Sequence, residues 1–426
     1  TAVGYEALSA NTASGNTAIG YQAAENTTTG AGNIAIGQNA MHANTTGTRN
    51  IAIGHESYDG SDTEADNLAI GYQAMTINTA GGTRNLALGN YALDALTSGD
   101  DNVAVGYDAG TAINTGSANV AIGAYALDST TSGDNNTAVG KVALGANTTG
   151  AGNTAVGYAS LDASSTASNN TAVGLRALST NSTGADNVAV GKNAALANSS
   201  ASSIVAIGSN TLESNTTGGE NTAVGQGAMN ANTTGAYNIA VGTAALSANT
   251  TGARNMAIGV NAMDGSDTES DNIAIGYDAM TTNNAGGINN LAIGNYALDA
   301  LVGGDKNVAI GHTSCGVLDT GVENTAVGEN TGIGITSGSY NTILGRNACS
   351  YNTHLTTGDK NCVFGSYNYT TAVDTDEANI FGHGVPGEGG YTTVGHSTSE
   401  IRAAHGNTTW ATVSDERVKK DITDST

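Results

Sequence analysis

The chain has 426 residues, of which 60 are glycine, one is proline and only 4% are aromatic, and its formal net charge is −24. Large apolar residues are too scarce to fill the two or three globular cores that this length would ordinarily form. The acidic balance excludes nucleic acid as an expected partner, because a phosphate backbone would be repelled along the whole chain. No apolar run approaches the roughly 18 residues of a membrane-spanning helix, so we do not expect a membrane-embedded protein. The sequence opens inside a repeat, and we therefore expect it to be a fragment of a longer protein.

A glycine recurs every 17 residues along most of the chain, with a constant step from Gly106 to Gly276. The repeat reads N-(T/I/V/L)-A-(I/V)-G-Y-x-A-L-x-A-N-T-T-G-x-x. A short, strict period of this kind predicts one structural coil per repeat. We therefore predict an all-β fold, an elongated β-solenoid or β-roll of about 22 coils, which would form a rod on the order of 100 Å long.

Each coil is predicted to contain two short strands. The segment NTAVG alternates with the period of a strand, so its alanine faces a narrow interior while its Val or Ile faces outwards. The segment YxAL is predicted as the second strand, and NTTG as the turn that closes the coil. The outward Val or Ile face would need another surface to cover it.

An asparagine stands four residues before almost every repeat glycine. A row of ligands, or glycosylation at the many N-x-S/T matches, would be functional interpretations. We favour a structural one, in which identical amides stack as a hydrogen-bonded ladder that fixes the register of the coils. The first members of this predicted ladder are Asn16, Asn33, Asn50 and Asn67.

Tyrosine directly follows the repeat glycine in six coils. These rings predict either a sugar-binding strip or, as we favour, a stacked ladder on the surface. They are Tyr5, Tyr21, Tyr72, Tyr107, Tyr158 and Tyr277.

An acidic segment, DGSDTEADNLAIGYQAMT at residues 59–76, recurs almost unchanged at residues 264–281. Duplication of a whole block suits a spacer whose length matters. Clustered carboxylates can bind calcium, although the spacing here is not that of an EF-hand. The candidate calcium ligands are Asp59, Asp62, Glu64 and Asp66, and no other metal or cofactor is expected.

Cys315 and Cys349 occupy the same repeat position two coils apart, which separates them by about 9–10 Å. That distance exceeds the reach of a disulfide. Cys362 stands where Thr or Ile is usual, so we predict three free thiols. The sequence contains no recognised catalytic or zinc-binding motif, and we do not expect the repeats to be catalytic.

A single copy of the roll would expose an apolar stripe along some twenty coils, more than soluble monomers usually show. Packing around a common axis would cover it, and we predict a homotrimer. The NTAVG and NIAIG coils resemble the SVAIG repeats in the heads of trimeric autotransporter adhesins, which are trimers of left-handed β-rolls. The resemblance covers residues 1–365, although a 17-residue coil is longer than that family's.

Three regions are predicted along the chain. Residues 1–365 form the repeat shaft. Residues 366–413, which contain the only proline, Pro386, form a β-rich C-terminal cap or tip. Residues 414–426 begin a third region that differs from the rest in composition.

That last region contains SDERVKKDI, which resembles the opening of the intramolecular chaperone of endosialidase-type phage tail spikes and fibres. The resemblance implies that a longer precursor trimerises and then cleaves itself between Ser414 and Asp415, with Ser414 as nucleophile and Lys419 as base. Only twelve residues follow Ser414, so the chaperone domain itself is missing from this sequence. A polar, solvated tail is the alternative. The positions that match the motif are Ser414, Asp415, Arg417, Lys419, Asp421 and Ile422.

These observations predict the shaft and distal tip of a homotrimeric phage tail fibre, an extracellular part of the virion used for host adsorption. Its receptor is expected to be a host glycan or outer-membrane component, bound in residues 366–413. The main alternative is the head of a bacterial trimeric adhesin. An ice-binding solenoid and a polysaccharide depolymerase are weaker alternatives. The sequence identifies neither the host nor the N-terminal attachment partner.

Overall fold

The computed structural model describes residues 1–78, 81–283, 286–350, 355–397, 399–406 and 411–412. The chain divides into two compact units, Thr1–Glu220 and Asn221–Thr426. The described residues contain strands and turns but no helix, so none of them forms a helix that could cross a membrane. The predicted all-β solenoid with a 17-residue repeat is confirmed.

The described part of the first unit contains one strand per coil, thirteen in all. Their bounds are β1 Ala2–Val3, β2 Thr17–Ile19, β3 Ile34–Ile36, β4 Ile51–Ile53, β5 Leu68–Ile70, β6 Leu86–Leu88, β7 Val103–Val105, β8 Val120–Ile122, β9 Thr137–Val139, β10 Thr154–Val156, β11 Thr171–Val173, β12 Val188–Val190 and β13 Val205–Ile207.

The second unit continues the same pattern and ends in longer strands. Their bounds are β14 Thr222–Val224, β15 Ile239–Val241, β16 Met256–Ile258, β17 Ile273–Ile275, β18 Leu291–Ile293, β19 Val308–Ile310, β20 Thr325–Val327, β21 Thr342–Leu344, β22 Cys362–Phe364, β23 Tyr369–Thr370, β24 Asn379–His383, β25 Pro386–Gly387, β26 Tyr391–His396, β27 Ser399–Ala404 and β28 Ala411–Thr412.

Within each unit the repeat strands pair in parallel and in register. Strand β10 pairs with β11 so that Ala155 lies beside Ala172, and β15 pairs with β16 so that Ala240 lies beside Ala257. These alanines are fully buried. The prediction that alanine faces a narrow interior is therefore confirmed.

The predicted second strand, YxAL, is wrong. These residues form a run of turns in which the second and fourth residues after the glycine have positive φ, as at Gln22 (54°) and Ala24 (50°). Ala23 and Ala24 are adjacent and both buried, whereas neighbours in a strand point to opposite faces. The N–H of Ala24 donates to the carbonyl of Ala40 in the next coil at 2.9 Å, so the turns also stack by hydrogen bonds.

The parallel ladder does not stop at Gly365. Strand β24 begins 17 residues after β22 and pairs with it in parallel, and β26 follows β24 in the same way. The sequence hid this continuation because Ala378 replaces the repeat asparagine, although its N–H still donates to Asn361 Oδ1 at 2.9 Å. The parallel pairing ends at β26, which pairs with β27 in antiparallel fashion, as β27 does with β28.

Candidate functional site

The outer face of the repeat strands is the most extended apolar surface that the described residues form. Two side chains of each strand flank the buried alanine and point away from the interior, and we call their two rows the outer face. Val156 and Val173, on consecutive coils of the first unit, are each 36% exposed. Ile239 and Val241 of the second unit are each 37% exposed. Side chains of this kind are normally covered when they recur on one surface.

The outer face carries no charged residue between Val3 and Phe364, although the chain has 37 Asp and Glu. Thr, Val, Ile and Leu, with Met256, Cys362 and Phe364, fill its two rows. The acidic side chains therefore lie elsewhere on the coils. A surface that excludes charge in so acidic a chain is suited to contact with another apolar surface.

The repeat asparagines form a buried column beside the strands. The N–H of Asn33 donates to Asn16 Oδ1 at 2.8 Å, and the N–H of Asn50 donates to Asn33 Oδ1 at 2.8 Å. Asn67 continues the column with a 2.9 Å bond to Asn50 Oδ1. Each side-chain amide also donates to a carbonyl in the following coil, as Asn16 does to Gly30 at 2.8 Å. The column thus joins each coil to the next through both its donor and its acceptor.

Replacing Asn153 by alanine tests this column. Asn153 is fully buried, its Oδ1 accepts from the Asn170 N–H at 3.0 Å, and its Nδ2 donates to the Ala167 carbonyl at 2.8 Å. The variant leaves two buried backbone groups unpaired, so we expect a loss of about 3 kcal/mol of stability. Chemical denaturation followed by circular dichroism measures it. Asn26→Ala, which removes one exposed bond to His42, should cost less than about 1 kcal/mol, and equal losses would contradict the role of the column.

Exposed aromatic rings form columns along the turn side of the coils. In the first unit His55, Tyr72, Tyr91, Tyr107 and Tyr125 follow one another with centroids 5.4, 5.4, 5.9 and 5.6 Å apart. Most neighbours meet edge to face rather than stacked. Sequence reasoning missed Tyr91 and Tyr125, because they lie one residue later in the coil than the other tyrosines. Two shorter groups are Tyr5 with Tyr21, and Tyr277 with Tyr296 and His312.

A column of charges, which sequence reasoning also missed, lies directly before the asparagines. Arg49 binds Asp66 of the next coil through two hydrogen bonds of 2.6 and 2.7 Å, and Arg84 binds Asp101 in the same way at 2.6 and 2.9 Å. The Arg49 guanidinium holds the pKa of Asp66 below its usual value. Opposite charges spaced by one coil were the available signal. Because these pairs are exposed, each contributes little stability.

One of the candidate calcium ligands has a different role. The Glu64 carboxylate is buried and accepts from the N–H groups of Asp62 at 3.1 Å, Thr63 at 3.0 Å and Gly81 at 3.0 Å. It thereby supports the following coil, which is one residue longer than the repeat. Glu269 makes the equivalent three bonds in the duplicated block.

The other candidate calcium ligands also point to separate partners. Asp59 lies 3.7 Å from His42, and Asp66 is paired with Arg49. Asp62 accepts from the Thr45 hydroxyl of the preceding coil. Among the described residues no group of three or more His, Cys, Asp or Glu side chains is placed to hold a metal ion. Calcium binding remains an untested prediction.

The three cysteines are free, as predicted, with Cys315 and Cys349 buried. Burial raises the pKa of each of these two thiols to about 12. At pH 8 only about one in ten thousand would be ionised, and the thiolate is the reactive form. We therefore expect a thiol reagent at pH 8 to label no more than Cys362 in the native chain and all three cysteines in denaturant. Equally fast labelling of all three in the native chain would contradict this burial.

The predicted self-cleavage residues lie outside the described residues. They are Ser414, Asp415, Arg417, Lys419, Asp421 and Ile422.

No protein-family model matches the chain, and neither a curated protein nor a solved structure does so.

Proposed function

We propose that the chain is the shaft and distal part of a homotrimeric phage tail fibre that serves in host adsorption. The observation that carries the proposal is the outer face, which repeats two uncharged side chains on every coil and leaves them partly exposed. Three copies arranged around a common axis would bring their outer faces together and remove them from water. Burial of apolar area at about 25 cal/mol per Å² favours such an assembly.

Another copy of the same chain is the occupant best matched to this face. The side chains recur every 17 residues, so an identical chain presents the same spacing along its whole length. The net charge of −24 makes close approach of two chains unfavourable except where charge is absent. The uncharged outer face provides that approach.

Near-identical coils create a problem of register. Two chains shifted by one whole coil would still place similar residues opposite each other, so the shift costs little locally. An element that aligns the C-termini before the coils pair would remove this ambiguity. The resemblance of SDERVKKDI to an intramolecular chaperone supports the presence of such an element in a longer precursor.

The same resemblance supports self-cleavage of the precursor, with Ser414 attacking the bond to Asp415 and Lys419 acting as base. The mature fibre would then have no catalytic role. Expression of the longer precursor tests this step: the unchanged sequence should give two fragments, and Ser414→Ala should give one uncut chain. Cleavage that persists in Ser414→Ala would overturn the assignment.

Host adsorption is tested by competition. Purified chain added to host cells should reduce adsorption of the parent phage, because both occupy the same glycan or outer-membrane receptor. Residues 366–413 remain our proposed location for the distal contact. A chain that assembles as a trimer but leaves adsorption unchanged would contradict the adsorption role.

The head of a bacterial trimeric adhesin is the second candidate, favoured by the resemblance of the NTAVG coils to that family. The two candidates predict different sequences downstream of residue 426. A coiled coil and membrane anchor there would favour the adhesin, whereas a chaperone domain would favour the phage fibre.

A further inference from the structure

A groove opens on the turn side of the first unit, away from the outer face. Its larger part, about 460 Å³, is lined by Tyr158, Asp162 and Arg176 together with small residues. A second hollow of about 290 Å³ adjoins it, and Asp162 lines both. Asp128 closes the far side of the second hollow. Together they reach the lower part of the range of volumes of small-molecule sites.

Two small residues open this groove. Ala159 stands two residues after its repeat glycine, where Gln22, Gln73 and Tyr125 stand in other coils. Gly145 stands five residues after its repeat glycine, where the flanking coils carry aspartates. The groove is therefore a local departure from the repeat pattern rather than a property of every coil.

The charged groups of the groove are not used to hold the fold together. Among the described residues the side chains of Asp162 and Arg176 make neither a hydrogen bond nor an ion pair within 4.0 Å. Arg49, by contrast, is fully engaged with an aspartate of the next coil. Burial raises the pKa of the Asp128 and Asp162 carboxyls, an effect that Arg176 partly offsets at Asp162. The groove thus contains two acceptors and one donor group without fixed partners.

The aromatic ring of the groove is also unpaired. Tyr158 is 53% exposed, and the equivalent positions in the preceding and following coils carry Lys141 and Leu175. No ring contact joins Tyr158 to another aromatic side chain in the described part of the chain. Its face is therefore open to a flat, weakly polar partner, which is a favourable surface for the C–H groups of a sugar.

We propose that this groove binds a neutral sugar unit of a glycan, packed on Tyr158, with hydroxyl groups bound by Asp128, Asp162 and Arg176. The inference rests on the proposed adsorption function and adds a glycan contact on the shaft to the one proposed at residues 366–413. Two carboxylates in a chain of net charge −24 disfavour an anionic ligand, and Arg176 disfavours a cation. Sugar hydroxyls satisfy acceptors and donors alike.

Variants can fill the groove with a residue that the fold already accepts. Ala159→Gln introduces the residue found at Gln22 and Gln73, where the backbone has a similar positive φ of 54° and 50°, against 52° at Ala159. Tyr158→Ala removes the ring. Ala244→Gln is the matched control, because Ala244 occupies the same coil position in the second unit with φ 56°.

The test uses the full chain on a printed array of neutral and carboxylated oligosaccharides, followed by calorimetry with the best neutral one. We expect neutral oligosaccharides to bind, and both groove variants to weaken binding at least roughly tenfold, or about 1.4 kcal/mol. Ala244→Gln should bind as the unchanged chain does. Retention of carboxylated sugars alone, no retention of any sugar, or unchanged binding by Ala159→Gln would overturn the proposal.

Phage-adsorption competition with the same proteins separates this inference from the proposed function. If the unchanged chain competes but Ala159→Gln competes equally well, the groove assignment fails and the adsorption function stands. If the unchanged chain does not compete at all, the adsorption function fails, and array binding then decides the groove independently.

Discussion

Replacing Gly157 by alanine is expected to disrupt the stacking of the coils and to lower stability by about 4 kcal/mol or more. Gly157 has a φ of 139°, a conformation that side chains rarely adopt, and an added Cβ would lie 2.4 Å from the backbone oxygen of Gly174. Neither the coil of Gly157 nor the next can move away without breaking the hydrogen bonds between them. The midpoint of urea unfolding, followed by far-ultraviolet circular dichroism, measures the loss.

Gly227→Ala provides the control for that substitution. Gly227 has a positive φ of 66°, but an added Cβ would meet no atom within 4 Å. Its cost should be limited to backbone strain of about 1 kcal/mol. If Gly157→Ala unfolds at the same urea concentration as Gly227→Ala, the close approach of consecutive glycines does not limit the fold.

The double substitution Val156→Lys and Val173→Lys is expected to separate the proposed trimer into folded single chains. Both valines lie on the outer face, at the ends of β10 and β11, and their side chains point away from the interior. Burying lysines there without partners costs several kcal/mol per charge, so association should be lost. Sedimentation should give a mass near 42.0 kDa, with the β-rich circular dichroism unchanged.

Thr166→Lys with Thr183→Lys is the matched control. These exposed threonines lie in the turns that follow the same two strands, so the control adds equal charge to the same coils away from the outer face. It should leave the mass unchanged. A trimer that persists in the Val156 and Val173 variant would show that the outer face is not the interface.

The strand of each coil was predictable because its physical signal is local. Alternation of Thr or Ile, Ala, and Val places alanine inside, and a constant 17-residue step places like residues side by side. Ala155 and Val156 illustrate both points, since one is fully buried and the next is exposed. The asparagine preceding such a strand has a repeated position and a side chain that can both donate and accept.

The remainder of the coil was not predictable in the same way. Ala23 and Ala24 fit a strand by composition, but their joint burial depends on positive φ values that no residue type there announces. Such values persist because the N–H groups concerned bond to neighbouring coils, which is a property of the stack and not of the segment.

The groove shows the same limit at the level of a site. Ala159 and Gly145 are ordinary small residues when considered singly, and only the stacking of three coils makes their lack of side chains into a hollow. The buried Glu64 was likewise grouped with calcium ligands, because its bonds to the backbone of the next coil depend on that coil's extra residue.

The native mass of the unchanged chain tests the central claim most directly. Sedimentation or native mass spectrometry should give a species near three times 42.0 kDa, because the outer faces of three copies cover one another. A monomer of 42.0 kDa with β-rich circular dichroism would contradict the trimeric fibre. A single-chain solenoid would then be the better account of the fold.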